Sequence, residues 1–212
     1  MSLRFASGWA DDGRSPRKKS ERTRQAILDS ALAFLWDHPF RDLNVAQLMT
    51  LAGSSRPAFY QYFADLHDLM RTLLDDMRDD IMAAAAPWLE SEGDSVPLLQ
   101  ATLSRFVTVC YQRGPILRAV VDAASSDKDL EQAWTGFMQA FDDAVAHKIK
   151  NDQAAGLIAP FPARPMAIAL NRLDASMVIE HFGQRPPGNP EAVTQALTRI
   201  WISTLYGREA LP

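Results

Sequence analysis

Apolar and polar residues follow a helical period along most of the chain. Ile27, Ala31, Phe34 and Leu35 recur at the i, i+4, i+7, i+8 spacing of one buried face, which predicts a first helix from Lys19 to about Asp37, with Pro39 marking its end. Asn44 precedes Val45, Leu48 and Met49 with Gln47 three positions on, an Asn-led form of the capping box that opens a short second helix, and Gly53 stops it. Ser55 can cap a third helix, with Pro57 in its first turn and Phe59, Tyr60, Tyr62 and Phe63 following. Leu69, Leu73 or Leu74, Met77 and Ile81 then stripe a helix from Leu66 to Ala86, ended or kinked by Pro87. Leu99, Leu103, Phe106 and Cys110 form the next stripe, closed by Gly114-Pro115, and a shorter helix is expected from Pro115 to about Ala124. Trp134, Phe137, Met138 and Phe141 mark a long helix from about Asp127, with Gly156 just beyond its end. Two last helices run from about Arg164 to Phe182 and from Pro190 to Tyr206, the second capped by Asn189 and stopped by Gly207. No stretch alternates with period two between turn signals, so the pattern predicts an all-α fold of about nine helices.

Composition adds little, but charge placement changes the picture. With 212 residues, 47% apolar and 23% charged, the chain is globular, large enough for one large domain or two small ones. The net charge of −4 speaks against a nucleic-acid partner until it is divided: residues 1–62 hold nine Lys and Arg against six Asp and Glu, and residues 63–212 hold thirteen against twenty. One end is basic. Cys110 is the single cysteine and cannot form an intramolecular disulfide, and Met1 to Lys19 is too polar for a signal peptide. With no run of about 18 apolar residues, a cytoplasmic protein with no membrane partner is expected.

Enzyme signatures are missing: there is no G-x-S-x-G, G-x-G-x-x-G, P-loop or H-E-x-x-H pattern. His38, His67, His147 and His181 are far apart, and Asp75, Asp76, Asp79 and Asp80 read as a solvated acidic helix face, so neither a metal site nor a cofactor is expected. Cys110 on its apolar stripe reads as a small core residue. The segment from Asn44 to Phe63 is more specific. Two short helices joined by Leu51-Ala-Gly53-Ser have the form of a helix-turn-helix, whose second helix enters the major groove of DNA. Upstream lies the basic cluster Arg14, Arg17, Lys18, Lys19, Arg22 and Arg24, a fitting footprint for phosphate.

Three runs, Thr23-Arg-Gln-Ala-Ile-Leu-Asp-Ser-Ala31, Asn44-Val-Ala-Gln-Leu48 and Ala52-Gly-Ser-Ser-Arg-Pro-Ala-Phe-Tyr-Gln-Tyr-Phe63, resemble the DNA-binding domain of TetR-family transcriptional regulators. That family's G-x-S-x-x-x-F-Y-x-Y/H-F pattern is met at Gly53, Ser55, Phe59, Tyr60, Tyr62 and Phe63. More narrowly, Trp134-Thr-Gly-Phe-Met138, Ala169-Leu-Asn171 and Ile200-Trp-Ile-Ser-Thr-Leu-Tyr-Gly207 are similar to the EthR-type subgroup, over a span from about Lys19 to the C-terminus. The resemblance implies a flexible basic arm over 1–18, a helix-turn-helix domain over 19–65 and a ligand-binding and dimerisation domain over 66–212. It implies a repressor that is not an enzyme, with palindrome-like double-stranded operator DNA and an apolar small-molecule effector as partners. Two positions depart from the family: Ser54 stands where a small apolar residue is usual, and Leu66 where many members carry Lys.

For DNA, the resemblance points to Ser55, Arg56, Pro57, Ala58, Tyr60 and Gln61 of the third helix, with Phe59 and Phe63 as core anchors; the basic cluster adds Arg17, Lys18 and Lys19, and residue chemistry adds Asn44 and Tyr62. Physically, Arg56 suits a guanine fork or a phosphate clamp, Tyr60 and Tyr62 present hydroxyls to phosphate, and the N-terminus at Asn44 aims N–H groups outward. A homodimer is expected through the last two helices, where Met166 to Ile179 and Val193 to Leu205 are mostly apolar. Leu99, Leu103, Phe106, Trp134, Phe137, Met138, Phe141 and Trp201 supply apolar surface, and Asn171 and Asp174 lie three apart on one helical face. On residues alone these ten positions fit either a ligand pocket or a filled core. The resemblance favours the pocket, with Asp174 in place of the subgroup's neutral amide. Two other classes compete: an all-α small-molecule or lipid carrier, and an enzyme built on the acidic helix with His147 or His181.

Overall fold

The computed structural model describes residues 16–92 and 95–207, with side chains from Lys19 onward. Those residues form eight α-helices and one 3-10 turn with no strand. The helices are α1 (Pro16–Leu35), α2 (Val45–Leu51), α3 (Arg56–Phe59), α4 (Leu66–Leu89), α5 (Val96–Ala124), α6 (Lys128–Ala154), α7 (Ala163–Phe182) and α8 (Pro190–Leu205), and the 3-10 turn is Phe40–Asp42. The first helix thus begins three residues before the expected Lys19; the rest of the expected arm, Met1 to Ser15, lies outside the described residues.

Where an end was expected and is absent, the cause is visible. Gly114-Pro115 does not divide α5, which runs through both, so the separate Pro115 to Ala124 helix does not exist. The glycine serves close packing instead. A Cβ on Gly114 would sit 2.1 Å from the Phe182 carbonyl oxygen, so the backbones of α5 and α7 approach to a distance that no side chain permits. Pro87 likewise lies inside α4, which continues to Leu89 and so buries Trp88.

Helix α5 is the central post. It packs against α4, α6, α7 and α8, and α1 and the 3-10 turn rest on it from the N-terminal side. Ile27, Leu28, Ala31, Phe34, Leu48, Phe59 and Phe63 are buried at that side, while Leu99, Leu103, Val107, Ile149, Val178, Leu197 and Ile202 fill the larger bundle. Side-chain caps set the entries of α4, α6 and α8: Asp65 Oδ1 accepts from Asp68 N–H (2.8 Å), Asp127 Oδ1 from Asp129 and Leu130, and Asn189 Oδ1 from Glu191 and Ala192.

A buried ionic network ties the far end of the bundle together. Lys148 is 1% exposed, yet its ammonium donates to Asp152 Oδ1 (2.7 Å), the Ser91 carbonyl (2.9 Å) and Ser95 Oγ (3.2 Å). Tyr206 donates to Asp152 Oδ2 (3.0 Å) and accepts from Trp88 Nε1 (3.1 Å). Burial pushes the Tyr206 hydroxyl up to about 12, so it remains a donor. All three ammonium protons and both carboxylate oxygens are used, which is what a charge pair needs in a medium that solvates neither. Lys148→Ala should therefore destabilise the fold by about 3–5 kcal/mol, because Asp152 stays buried without its cation. Urea unfolding monitored by circular dichroism checks this, and a midpoint equal to the wild type would contradict it.

Candidate DNA-reading face and effector cavity

Two features set the reader: the α2–α3 turn and the aromatic residues under α3. Gly53 has φ of +61°, its N–H donates to the Thr50 carbonyl (3.2 Å), and Ser54 N–H donates to that of Met49 (2.9 Å). This is a Schellman ending, which asks for glycine because the left-handed conformation costs a residue with a Cβ. Ser54 is half-buried within it. Asn44 closes the other end of α2, its Oδ1 accepting from Gln47 N–H (3.0 Å) while its Nδ2 donates to Gln47 Oε1 (3.2 Å). Ser55 occupies the position before α3 but makes no side-chain capping bond.

Phe59 and Phe63 are buried, their rings 5.5 Å apart, and hold α3 to the core. The regular helix of α3 is only four residues long, with turn hydrogen bonds carrying the chain on through Tyr62 and Phe63. Asn44, Ser55, Arg56, Pro57, Tyr60 and Gln61 are exposed beside one another, and Ala58 and Tyr62 are half-buried. Tyr60, at 57% exposure, is among the most exposed large apolar side chains. Lys19 on α1 is exposed, Arg17 and Lys18 precede it on that helix, and Arg24 stacks over the Phe63 ring at 5.7 Å.

At the other end of α4, five helices enclose a cavity of about 70 Å³. Leu99, Leu103 and Phe106 of α5, Phe137, Met138 and Phe141 of α6, Asn171 and Asp174 of α7 and Trp201 of α8 all line it. Of the ten residues singled out in the sequence, Trp134 is the one that does not reach the cavity; it stacks on Phe137 from behind, ring centroids 5.6 Å apart. The sequence reading missed the fifth wall. Ile81, Met82, Ala85, Trp88 and Leu89 of α4 complete the cavity. Ile81, Met82 and Ala85 fall within the expected Leu66 to Ala86 helix, Ile81 on its apolar stripe, without having been read as cavity lining, whereas Trp88 and Leu89 lie beyond Pro87.

The cavity's polar groups are few and fixed. Trp201 Nε1–H donates to Asp174 Oδ1 (2.9 Å), and Asn171 Nδ2–H donates to Asp142 Oδ1 (3.0 Å), whose carboxylate is also forked by Arg172. Burial raises the Asp174 carboxyl to about 7, the Trp201 hydrogen bond offsetting part of that rise. Burial, and then the Asp174 charge, push the Cys110 thiol well above its ordinary range, so it stays protonated. Among the described residues no group of His, Cys, Asp and Glu is placed to hold a metal ion, and no helix is long and apolar enough to cross a membrane.

A helix-turn-helix presented by α1 to α3 and an apolar chamber walled by the helices that follow define a one-component regulator of transcription. Residues 99–207 match the family described as the C-terminal domain of the transcriptional regulator EthR. The HTH-type transcriptional regulator EthR of Mycobacterium tuberculosis is 29% identical over 199 residues, covering 92% of each chain. Among solved structures, a TetR-family regulator from Syntrophomonas wolfei superposes with a TM-score of 0.74 at 17% identity, over 87% of this chain and 95% of that one. NalD, the secondary repressor of the MexAB-OprM multidrug efflux pump in Pseudomonas aeruginosa, gives 0.72 at 19% identity, over 90% and 99%. The chain belongs to the EthR family of TetR-type transcriptional regulators.

The raised Asp174 carboxyl has a consequence for stability. In the unfolded chain it titrates near the ordinary value, so between about pH 4 and pH 7 the folded state holds a proton that the unfolded state has lost. Its contribution therefore weakens as pH rises through that window, by a slope on the order of 1 kcal/mol per pH unit. Asp174→Asn should remove this slope, so that variant and wild type diverge in favour of the variant from pH 5 to pH 7 in urea titrations. A constant difference across that range would place the Asp174 titration elsewhere.

Proposed function

We propose that this DNA-binding regulator is a repressor that binds a palindrome-like operator as a homodimer in the cytoplasm, its affinity set by an apolar small molecule in the α4–α8 cavity. The observation that carries this reading is the dual membership of α4. Its first residue follows the reader directly, and its last two turns form one wall of the cavity. A ligand that changes the cavity thus acts on the element from which the reader is hung. The division follows: 19–65 reads DNA, and 66–212 binds ligand and pairs with its partner.

Within the reader, Arg56 and Gln61 face base edges, while Asn44, Ser55, Tyr60, Tyr62 and the basic start of α1 (Arg17, Lys18 and Lys19) meet phosphate, the division of labour by which phosphate contacts position and base contacts specify. Pro57 and Ala58 let the short helix approach the groove closely. Pairing through α7 and α8 is supported by apolar residues of these helices that the bundle only half covers, among them Met166, Ile168, Leu173, Met177 and Ile200. A two-fold pair spaces its recognition helices for half-sites about one helical turn apart.

Native mass spectrometry of the purified full chain tests both halves of the reading. It should give twice the 23.6 kDa chain mass, with any co-purified small molecule as added mass; a monomer at micromolar concentration would count against the dimer. In gel shifts with DNA upstream of its own gene, Arg56→Ala should weaken specific binding by about 1–3 kcal/mol, and unchanged affinity would remove Arg56 from the base contacts.

A further inference from the structure

The wall of the cavity is unusual in what it offers a ligand. Most of its donors are engaged inside the protein: Trp201 Nε1–H on Asp174, one Asn171 Nδ2–H on Asp142, and the Thr102 hydroxyl on the Ala84 carbonyl (3.4 Å), which leaves the second N–H of the Asn171 amide. Acceptors remain. Asp174 is 8% exposed and engages one carboxylate oxygen, while Oδ2 has no hydrogen bond among the described residues. Among the described residues no fully occluded side-chain oxygen or nitrogen lacks a partner, so Oδ2 keeps accessible surface, and it does so on a residue that lines the cavity.

Among the described residues no cation is placed to answer it. Asp174 is the single ionisable residue of the lining. From α5 the buried Cys110 thiol lies near enough to feel its charge; from α6 the Asp142 carboxylate is turned to Asn171 and Arg172, and Lys148 is held by Asp152, Ser91 and Ser95. The faces of α4 and α8 on the cavity, Ile81, Met82, Ala85, Trp88, Leu89 and Trp201, carry no titratable group. An isolated carboxylate in an apolar chamber is costly unless a counter-charge arrives with a partner.

We propose that the cavity selects amphipathic amines, the apolar chain filling the space between α4 and α6 and the protonated nitrogen donating to Asp174 Oδ2. The inference rests on the cavity being the effector site and adds the chemistry of the effector's polar end. An ammonium supplies donors to the one carboxylate oxygen of the wall that no protein donor answers, and burying both charges together offsets the desolvation that either suffers alone.

The test compares n-octylamine with n-octanol, probes of equal chain length, on the full-length protein, followed by tryptophan fluorescence and titration calorimetry at pH 6 and pH 8. An alkylammonium stays protonated up to about pH 10, as a lysine does, so between these two pH values only the protein side titrates. With the Asp174 carboxyl near 7, octylamine should bind about tenfold more tightly at pH 8 than at pH 6, whereas octanol should bind equally or more weakly at the higher pH. Asp174→Asn should lose the preference for octylamine and keep octanol binding; should that variant not fold, the wild-type pH series decides alone. Octylamine binding no tighter than octanol, or not tightening with pH, overturns the inference while leaving the cavity as an effector site. Failure of both probes to bind overturns the effector-site reading and the inference with it.

Discussion

The apolar face of α4 has to satisfy two cores at once. Near its N-terminus, where the chain leaves the reader, Leu69, Met70, Leu73 and Leu74 are buried, and near its C-terminus Ile81 and Trp88 line the cavity. Neither set can shift without the other while the helix stays intact, and its 24 unbroken residues make it stiff over about 36 Å. The other arrangements follow from that constraint. Helix α5 must be long because it backs α4 along both cores, and Gly114 must be glycine because α7 crosses α5 against the backbone.

Charge is organised along the same axis. The outward face of α4 carries Asp75, Asp76, Asp79 and Asp80, and the structure gives these a plain role: Arg78 pairs with Asp75 (2.7 Å) and Asp79 (3.0 Å), and Arg113 of α5 with Asp80 (2.9 Å). They form a solvated face, and such exposed pairs contribute little to stability. Their effect is on orientation. A negative middle behind a basic start disfavours any docking of DNA except at the α1–α3 end, so the net charge of −4 is compatible with a nucleic-acid partner because of where it sits.

The helical class and the helix-turn-helix were legible because local chemistry decides them. Gly53 and Asn44 announce their turn and cap from one or two neighbours, and the Phe59–Phe63 pattern is fixed by the need to anchor a four-residue helix. What sequence could not supply was anything settled by distant packing. Gly114-Pro115 and Pro87 look like helix ends in isolation, and only the Phe182 backbone and the burial of Trp88 show why the helices go on. Lys148 and Asp152 have the i, i+4 spacing of an ordinary surface pair; their burial depends on Tyr206, more than fifty residues away. Of the cavity, α5, α6 and α8 were readable from their apolar and aromatic residues and α7 from Asn171 and Asp174, whereas the α4 wall reads as ordinary core in sequence and its Trp88 and Leu89 lie beyond Pro87.

The size of the cavity bears on how ligand and reader communicate. At about 70 Å³ it is well below the roughly 300–1,000 Å³ of formed ligand sites, so a chain-like effector enters only if a wall moves. The walls are not equally free. Trp88 is held by Tyr206, packs edge-on against Trp201 (5.8 Å) and lies beneath the Lys148 ammonium (6.0 Å), so the C-terminal end of α4 acts as a fixed point. On the proposed effector reading, a rigid α4 pivoting there would carry a push on Ile81, about 10 Å from Trp88 along the helix, to Leu66, about 33 Å away, as a displacement about three times larger. That ratio favours transmission toward the reader, but geometry alone does not set the response: the operator equilibrium moves only by the ligand's difference in affinity between the two positions of α4. On that reading the anchored network around Lys148 matters beyond stability, because a bundle that yielded at Trp88 would absorb a ligand without moving the reader.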